Sequence, residues 1–235
     1  MSFTFKQFHI DDTHCAMKVG TDGVLLGAWA NVEDAENVLD IGCGSGLITL
    51  MLAQRTAQAR VVGIEIDAEA AADARLNAKA SPFSSRVEIV ENNALHYEPR
   101  VLFDHIVTNP PYHEETLLPP SATRAQARHT AGGGLTFGAL FEIVDRLLNK
   151  EAAHASFSVV LPTQAVTRFV GQAAVYGLNL WRKTNVATRP QKPCKRTLLE
   201  FSPHGMAYSE DTLVLLNADG SRSHDYQRLC AEFYL

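Results

Sequence analysis

The sequence predicts an α/β domain: a mostly parallel sheet with helices on both faces and an antiparallel strand pair near the C-terminus. Three observations predict it. Strand-like runs alternate with helix-like stretches between Asn37 and Tyr176, the order that builds parallel strands joined by crossover helices. A glycine-rich turn, Gly42-Cys43-Gly44-Ser45-Gly46, separates the first strand of this series from its first helix. Leu178 to Ala187 and Thr197 to Phe201 are strand-like with no helix between them, so they pair antiparallel.

Taken in order, Asn37 to Ile41 reads as a strand and Leu47 to Gln54 as a helix. Arg60 to Ile66 is β-branched and reads as the second strand; alanine-rich Ala68 to Ala80 reads as a helix stopped near Pro82. Val87 to Val90 and Asp104 to Thr108 are further strands. Thr136 to Leu148 is amphipathic, with Leu140, Ile143, Val144 and Leu147 on one stripe. Ser156 to Leu161 is a strand and Gln164 to Tyr176 a helix. Past the antiparallel pair come a short apolar run from Leu213 to Leu216, a turn at Asp219-Gly220 and a terminal helix from about Asp225. The segment Tyr112 to Gly134, with Pro119-Pro120 and three adjacent glycines, has weak periodicity and reads as a functional loop.

At 235 residues and 46% hydrophobic, the chain can bury one substantial core, and a single domain covering 1–235 is expected. It has no apolar run of membrane-spanning length and no signal-peptide pattern at Met1 to Ile10. Cys15, Cys43, Cys194 and Cys230 are far apart in sequence, which suits free thiols in a reducing cytoplasm. The nine histidines form no metal-ligand spacing, and no metal is assigned. Net charge is −5, yet Ala152 to Leu199 carries seven cations and no acid, leaving −12 on the rest. Six of the seven lie between Arg182 and Arg196, so a local phosphate-binding surface is expected on an acidic body. Trp181, inside that region, reads as core.

Asp40-Ile41-Gly42-Cys43-Gly44-Ser45-Gly46 leaves a strand and opens a helix, and its glycines let the backbone turn tightly and approach a ligand. A dinucleotide fingerprint would place its third glycine one position later. Glu65 ends the second strand 19 residues after Gly46, where an acid can accept from ribose hydroxyls. Asp67 is weaker there, since it can equally cap the next helix. Asn93, after the third strand, is placed to face an adenine ring or to serve as a turn residue.

Asn109-Pro110-Pro111-Tyr112 directly follows the fourth strand. Pro110 holds Asn109 extended, so the Asn109 side-chain oxygen and the Pro110 carbonyl can act as two fixed acceptors. A conjugated amino group is a poor nucleophile because its lone pair is delocalised into the ring. Two acceptors on its N–H bonds favour a pyramidal nitrogen and stabilise the charge that develops as a methyl group arrives in line. Tyr112 offers a ring on which a flipped-out base can stack.

The run Phe3-Thr4-Phe5-Lys6-Gln7-Phe8, then Cys15 to Gly23 and on to Trp29, resembles the opening of the bacterial tRNA1(Val) adenine-37 N6-methyltransferases. The glycine motif, Asn109 to Tyr112, Gln126-Ala127-Arg128-His129-Thr130 and the end Phe233-Tyr234-Leu235 match in the same order. The resemblance spans nearly the whole chain. It implies a class I, Rossmann-like methyltransferase fold, the cofactor S-adenosylmethionine, and methylation of the adenine beside the anticodon of a valine tRNA. The hydropathy leads to the expectation of no membrane association, and no obligate protein partner is inferred.

By the same resemblance residues 1–36, and Lys18, Thr21 and Asp22 in particular, cover the cofactor or the catalytic pocket; composition alone makes those three a polar turn. Asp40, Gly42, Gly44, Gly46, Glu65, Asn93 and Asn109 complete the cofactor set, although Asn93 and Cys43 depart from the commoner Asp and Ala. Arg124, Arg128, Arg182, Lys183, Arg189, Lys192, Lys195 and Arg196 are the RNA-binding candidates, the last six in the 178–235 extension. Competing readings are a release-factor-type glutamine methyltransferase, a ribosomal RNA guanine-N2 methyltransferase and a non-catalytic RNA-binding protein. The first carries an extra N-terminal helical domain, whereas only about 36 residues precede Asn37 here.

Overall fold

The computed structural model describes residues 2–110 and 135–235. Five parallel strands form one side of an eight-stranded sheet, with β5 at its edge: β3 (Asn37–Ile41), β4 (Arg60–Glu65), β5 (Val87–Glu91), β6 (His105–Thr108) and β7 (Ser156–Pro162). Beyond β7 lie β9 (Arg196–Ser202), β8 (Asn179–Ala187) and β10 (Ser209–Val214), giving the order β10-β8-β9-β7-β6-β3-β4-β5. β9 runs antiparallel to both β7 and β8, and the short helix-free connection from β8 permits only that arrangement for the β8–β9 pair.

Two departures from expectation lie at the ends of the chain. The apolar run at Leu213 belongs to an edge strand, β10, which pairs parallel to β8. Before Asn37 there is more structure than a covering segment. A small hairpin, β1 (Ser2–Thr4) and β2 (His9–Asp11), precedes the helix α1 (Thr21–Trp29). Every residue from Gly23 to Trp29 is buried, so α1 has no polar face and hence no amphipathic period.

Alternating side chains of the strands feed two cores. Val38, Val61, Val107, Val160 and Leu198 join the cluster beneath α1, α2 (Leu47–Arg55) and α6 (His224–Leu229). Leu39, Val62, Ile106, Val159 and Leu199 join the opposite cluster, under α4 (Phe137–Leu147) and α5 (Val166–Val175). The stripe Leu140, Ile143, Val144 and Leu147 of α4 is buried there. α3 (Ala68–Ala80) packs on β4 and β5, and Asp67 caps it through a 2.8 Å bond from Ala70 N, which resolves that acid as a cap. Trp181 is half-buried where the β8–β9 register shifts.

Arg182 settles into this framework rather than onto the surface. Its guanidinium lies 3.8 Å from the Trp29 ring centroid, donates to the Trp29 carbonyl at 2.8 Å and to fully buried Glu200 at 3.1 Å. Burial pushes the Glu200 carboxyl up, to about 7, against the opposing pull of Arg182. Removing Glu200 would leave the largely buried Arg182 guanidinium without its carboxylate, whereas removing Arg182 would leave the Glu200 carboxyl to burial, which favours its protonated form.

Gly63 in β4 explains why a sheet centre rich in Val and Ile tolerates a glycine. A Cβ there would sit 2.9 Å from Cys43 Sγ, Ile89 Cδ1 and Thr49 Oγ1. Gly63→Ala should therefore destabilise the fold by about 1–3 kcal/mol through overpacking. An unchanged urea midpoint would contradict this packing.

Candidate active site

The C-terminal ends of β3, β4 and β6 lie side by side, because Ile41 pairs with Ile64 and with Thr108. Thr108 Oγ1 further donates to the Ile41 carbonyl at 2.8 Å. Three segments leave these neighbouring ends: the glycine turn after β3, Glu65-Ile66 on β4, and Asn109-Pro110 after β6. Pro111, Tyr112, Arg124 and Arg128 lie outside the described residues.

The glycine turn folds back over β4. Gly42 N and Cys43 N both donate to the Ile64 carbonyl, at 2.8 and 3.0 Å, and Gly46 N closes the turn on the Cys43 carbonyl at 2.9 Å. Gly42, Gly44 and Gly46 have φ of 72°, 54° and 82°, a region L side chains rarely adopt. A Cβ on Gly42 or Gly44 would meet nothing within 4 Å, so these two present bare backbone to open space. Gly46 starts α2 without a side-chain cap of its own, and the Thr49 backbone in the first turn hydrogen-bonds the Asp40 carboxyl instead.

Glu65 locks this turn. One carboxylate oxygen accepts from Gly44 N at 2.8 Å; the other accepts from Ile66 N at 2.8 Å and Asp67 N at 2.9 Å. Three of about four lone-pair sites are thus occupied internally, leaving about one for a ligand hydroxyl. Ile66, beside it, is 68% exposed, a large apolar side chain standing in water at the strand end. Asn92 N donates to the Glu65 carbonyl at 2.9 Å, which brings Asn93 next to Glu65 and Ile66. The Asn93 Oδ1 accepts from Leu95 N at 3.0 Å and caps a short 3-10 turn. Its amide nitrogen is the group left to meet a ligand, the reverse of an accepting carboxylate at this place.

Asp40 is placed differently from expectation. It is fully buried beneath the turn and takes a 2.6 Å bond from Thr49 Oγ1. Burial pushes its carboxyl up to about 7, against the Thr49 hydrogen bond. It braces the turn from below and offers no surface to a ligand.

The N-terminal segment closes one side of the site. Asn77, on α3, exchanges two bonds with Asp11 and donates to the Ser45 carbonyl of the glycine turn at 2.9 Å. Asp73, one turn earlier, accepts from His14 N at 2.8 Å and contacts His14 Nδ1 at 2.9 Å. That hydrogen bond, and the Asp73 charge, raise the His14 pKa. Lys18 Nζ donates to the carbonyls of Asp12 and Thr13 at 2.6 and 3.0 Å, so its ammonium shapes this segment from within. Thr21 is exposed at the start of α1, and Asp22 pairs with Arg196 at 2.7 Å. Met17 Sδ lies 3.6 Å from Asn109 Nδ2.

Sequence reasoning missed Met17, Ile66, Asp73 and Asn77. A signal existed for the last two: short polar residues four apart on one face of an alanine-rich helix, with no solvent-side reason to be there.

The basic cluster divides in two. The β8–β9 turn, residues 188–195, emerges at the same end of the sheet as the glycine turn, because Arg196 pairs with Pro162 at the C-terminal end of β7. Arg189, Lys192 and Lys195 are exposed there. Lys183 instead pairs with Glu210 at 2.9 Å, and Arg182 and Arg196 are engaged as described. Among the described residues no group of three or more His, Cys, Asp or Glu is arranged to hold a metal ion.

Comparison with known proteins adds the following. Residues 15–160 match the family model described as the methyltransferase small domain. The chain is 42% identical over 234 residues to the tRNA1(Val) (adenine(37)-N6)-methyltransferase of Bacteroides thetaiotaomicron, covering 99% of this chain and 97% of the relative. It is 44% identical over 238 residues to the enzyme of the same name from Phocaeicola vulgatus, with the same coverage. A solved Agrobacterium tumefaciens protein, titled a predicted O-methyltransferase, shares the fold at TM-score 0.64 and 20% identity, over 90% of this chain and 96% of that one. So does M. capricolum TrmK, solved in complex with S-adenosyl-homocysteine, at TM-score 0.52 and 12% identity, over 84% and 73%.

Asp40 generates a test. Its carboxyl pKa is raised from an ordinary value near 4 to about 7, so its contribution is fully present below about pH 4 and is lost as pH rises through 7. Asp40→Asn, permanently neutral, should lose less stability than wild type between pH 5 and pH 8 in denaturant titrations. Parallel losses in both proteins would contradict the buried placement.

Proposed function

Because the chain belongs to the tRNA1(Val) (adenine(37)-N6)-methyltransferase family, within the methyltransferase small domain family, we propose that it methylates the exocyclic N6 of adenine-37 in a valine tRNA. One observation carries the reading: the glycine turn and Asn109 leave adjacent strand ends, Ile41 and Thr108, so a cofactor on the turn faces the amide that would hold its substrate.

The residues present fit S-adenosylmethionine, which supplies an electrophilic methyl group on a sulfonium when bound. The bare backbone of Gly42 and Gly44 accommodates close approach of the cofactor. Glu65 keeps one acceptor for a ribose hydroxyl, and Ile66 with Asn93 forms one side of a slot for the cofactor's adenine. Lys18, Thr21 and Asp22 serve this pocket through the N-terminal segment that they shape.

Toward the substrate, the Asn109 Oδ1 and the Pro110 carbonyl accept the two N–H bonds of the target amine. They free its lone pair and hold it in line. A base paired or stacked within RNA cannot reach these acceptors, so the adenine is flipped out, with Tyr112 as its stacking partner. Arg189, Lys192 and Lys195 form the described part of the RNA-facing surface, with Arg124 and Arg128 added from outside the described residues. Lys183 and Arg196 contribute at its margin, while Arg182 serves the core. The relatives favour adenine over a glutamine amide or guanine N2, and an active enzyme over a non-catalytic RNA binder. A cytoplasmic location follows from a tRNA substrate.

Two tests follow. Asn109→Ala should lose methyl transfer to valine tRNA by at least about 10²-fold while retaining cofactor binding by calorimetry; unaltered turnover would remove Asn109 from its role. Lys192→Glu with Lys195→Glu should weaken tRNA binding and reduce the slope of log K against log salt by about two. A slope equal to wild type would place the tRNA elsewhere.

A further inference from the structure

The segment from Asp11 to Val19 reaches the catalytic end of the sheet and is tied down along its length. Asn77 holds Asp11, Asp73 holds His14, and Lys18 spans the carbonyls of Asp12 and Thr13. Asp12 Oδ2 accepts from Val19 N at 2.8 Å. Among these anchored residues Met17 is 51% exposed. Its sulfur takes a hydrogen bond from Asn109 Nδ2 at 3.6 Å, across 92 positions of sequence.

We infer that Met17 is a positioning residue for Asn109, setting which end of its amide faces the substrate. The inference rests on the reading of Asn109 as an acceptor for the target amine. The two ends of a side-chain amide are nearly equal in size, and rotation about the terminal torsion exchanges them. An amine can be held only by the oxygen end, because the nitrogen end would set donor against donor. A thioether sulfur accepts weakly and cannot donate, so it attracts Nδ2 and repels Oδ1. With Nδ2 turned to Met17, the oxygen is presented on the opposite side. The anchors on Asp11, Asp12, His14 and Lys18 keep the sulfur in place, giving an N-terminal segment far from Asn109 in sequence a direct part in the chemistry.

An apolar side chain of similar size separates this role from simple packing. Met17→Leu fills the same space with no acceptor, and it should lower kcat roughly two- to fivefold, the effect of losing one weak hydrogen bond. Cofactor affinity by calorimetry and the thermal midpoint should stay at wild-type values. Met17→Gln, whose Oε1 can accept from Asn109, should recover most of the lost kcat. A Leu variant with wild-type kcat, or a Gln variant as slow as the Leu variant, would overturn the assignment. Asn109→Ala is measured alongside: if it retains turnover, the reading of Asn109 fails, and if it is inactive while Met17→Leu is unaffected, only the positioning role fails.

Discussion

The carboxylate of Glu65 holds the site together. It ends a parallel strand, yet it does not project freely into the cavity. It gathers Gly44 N from one strand connection, and Ile66 N and Asp67 N from another, around two oxygens. Through Gly44 it fixes the glycine turn, and through Asp67 it fixes the entry to α3. α3 in turn presents Asp73 and Asn77, which carry the N-terminal segment to the site. Charge-assisted bonds of this kind are among the stronger ones available to a backbone N–H. The site is therefore assembled in sequence: strand ends, then glycine turn, then helix, then the covering segment with Met17.

Most of the sheet was legible before any coordinates. The strand at Asn37–Ile41 and the helix at Ala68–Ala80 fall where the sequence puts them, the first as a short apolar run before a glycine turn and the second as an alanine-rich run stopped near Pro82. What escaped shares a physical cause. α1 is apolar on every face, so it has no period to detect. Its glycines instead serve close packing: a Cβ on Gly27 would stand 2.8 Å from Met51 Sδ. β10 alternates weakly because it is an edge strand, with only Leu213 buried along it.

The site was legible by position and less so by role. The glycine turn, Glu65 and Asn109 sit on strand ends as their spacing implies. Asp40 occupies the right strand but faces inward under Thr49, and strand periodicity alone does not say which neighbour a buried acid meets. The Asn93 Oδ1 accepts locally from Leu95 N, a choice made by two residues of turn geometry. The basic cluster shows the same limit. Counting cations between Arg182 and Arg196 treats all six alike, yet β8 sends Arg182 inward to Glu200 and Trp29 while the following turn leaves Arg189, Lys192 and Lys195 in water. Whether a cation sits on the strand or in the turn, not local charge density, decides whether it reaches solvent.

Nucleoside mass spectrometry of purified valine tRNA, from cells with and without this protein, bears most directly on the whole account. N6-methyladenosine should disappear from the fragment that holds position 37 when the protein is absent, and return with the intact chain. If that nucleoside persists in the deleted strain, or if another modified base vanishes in its place, the assignment of adenine-37 as the substrate is wrong.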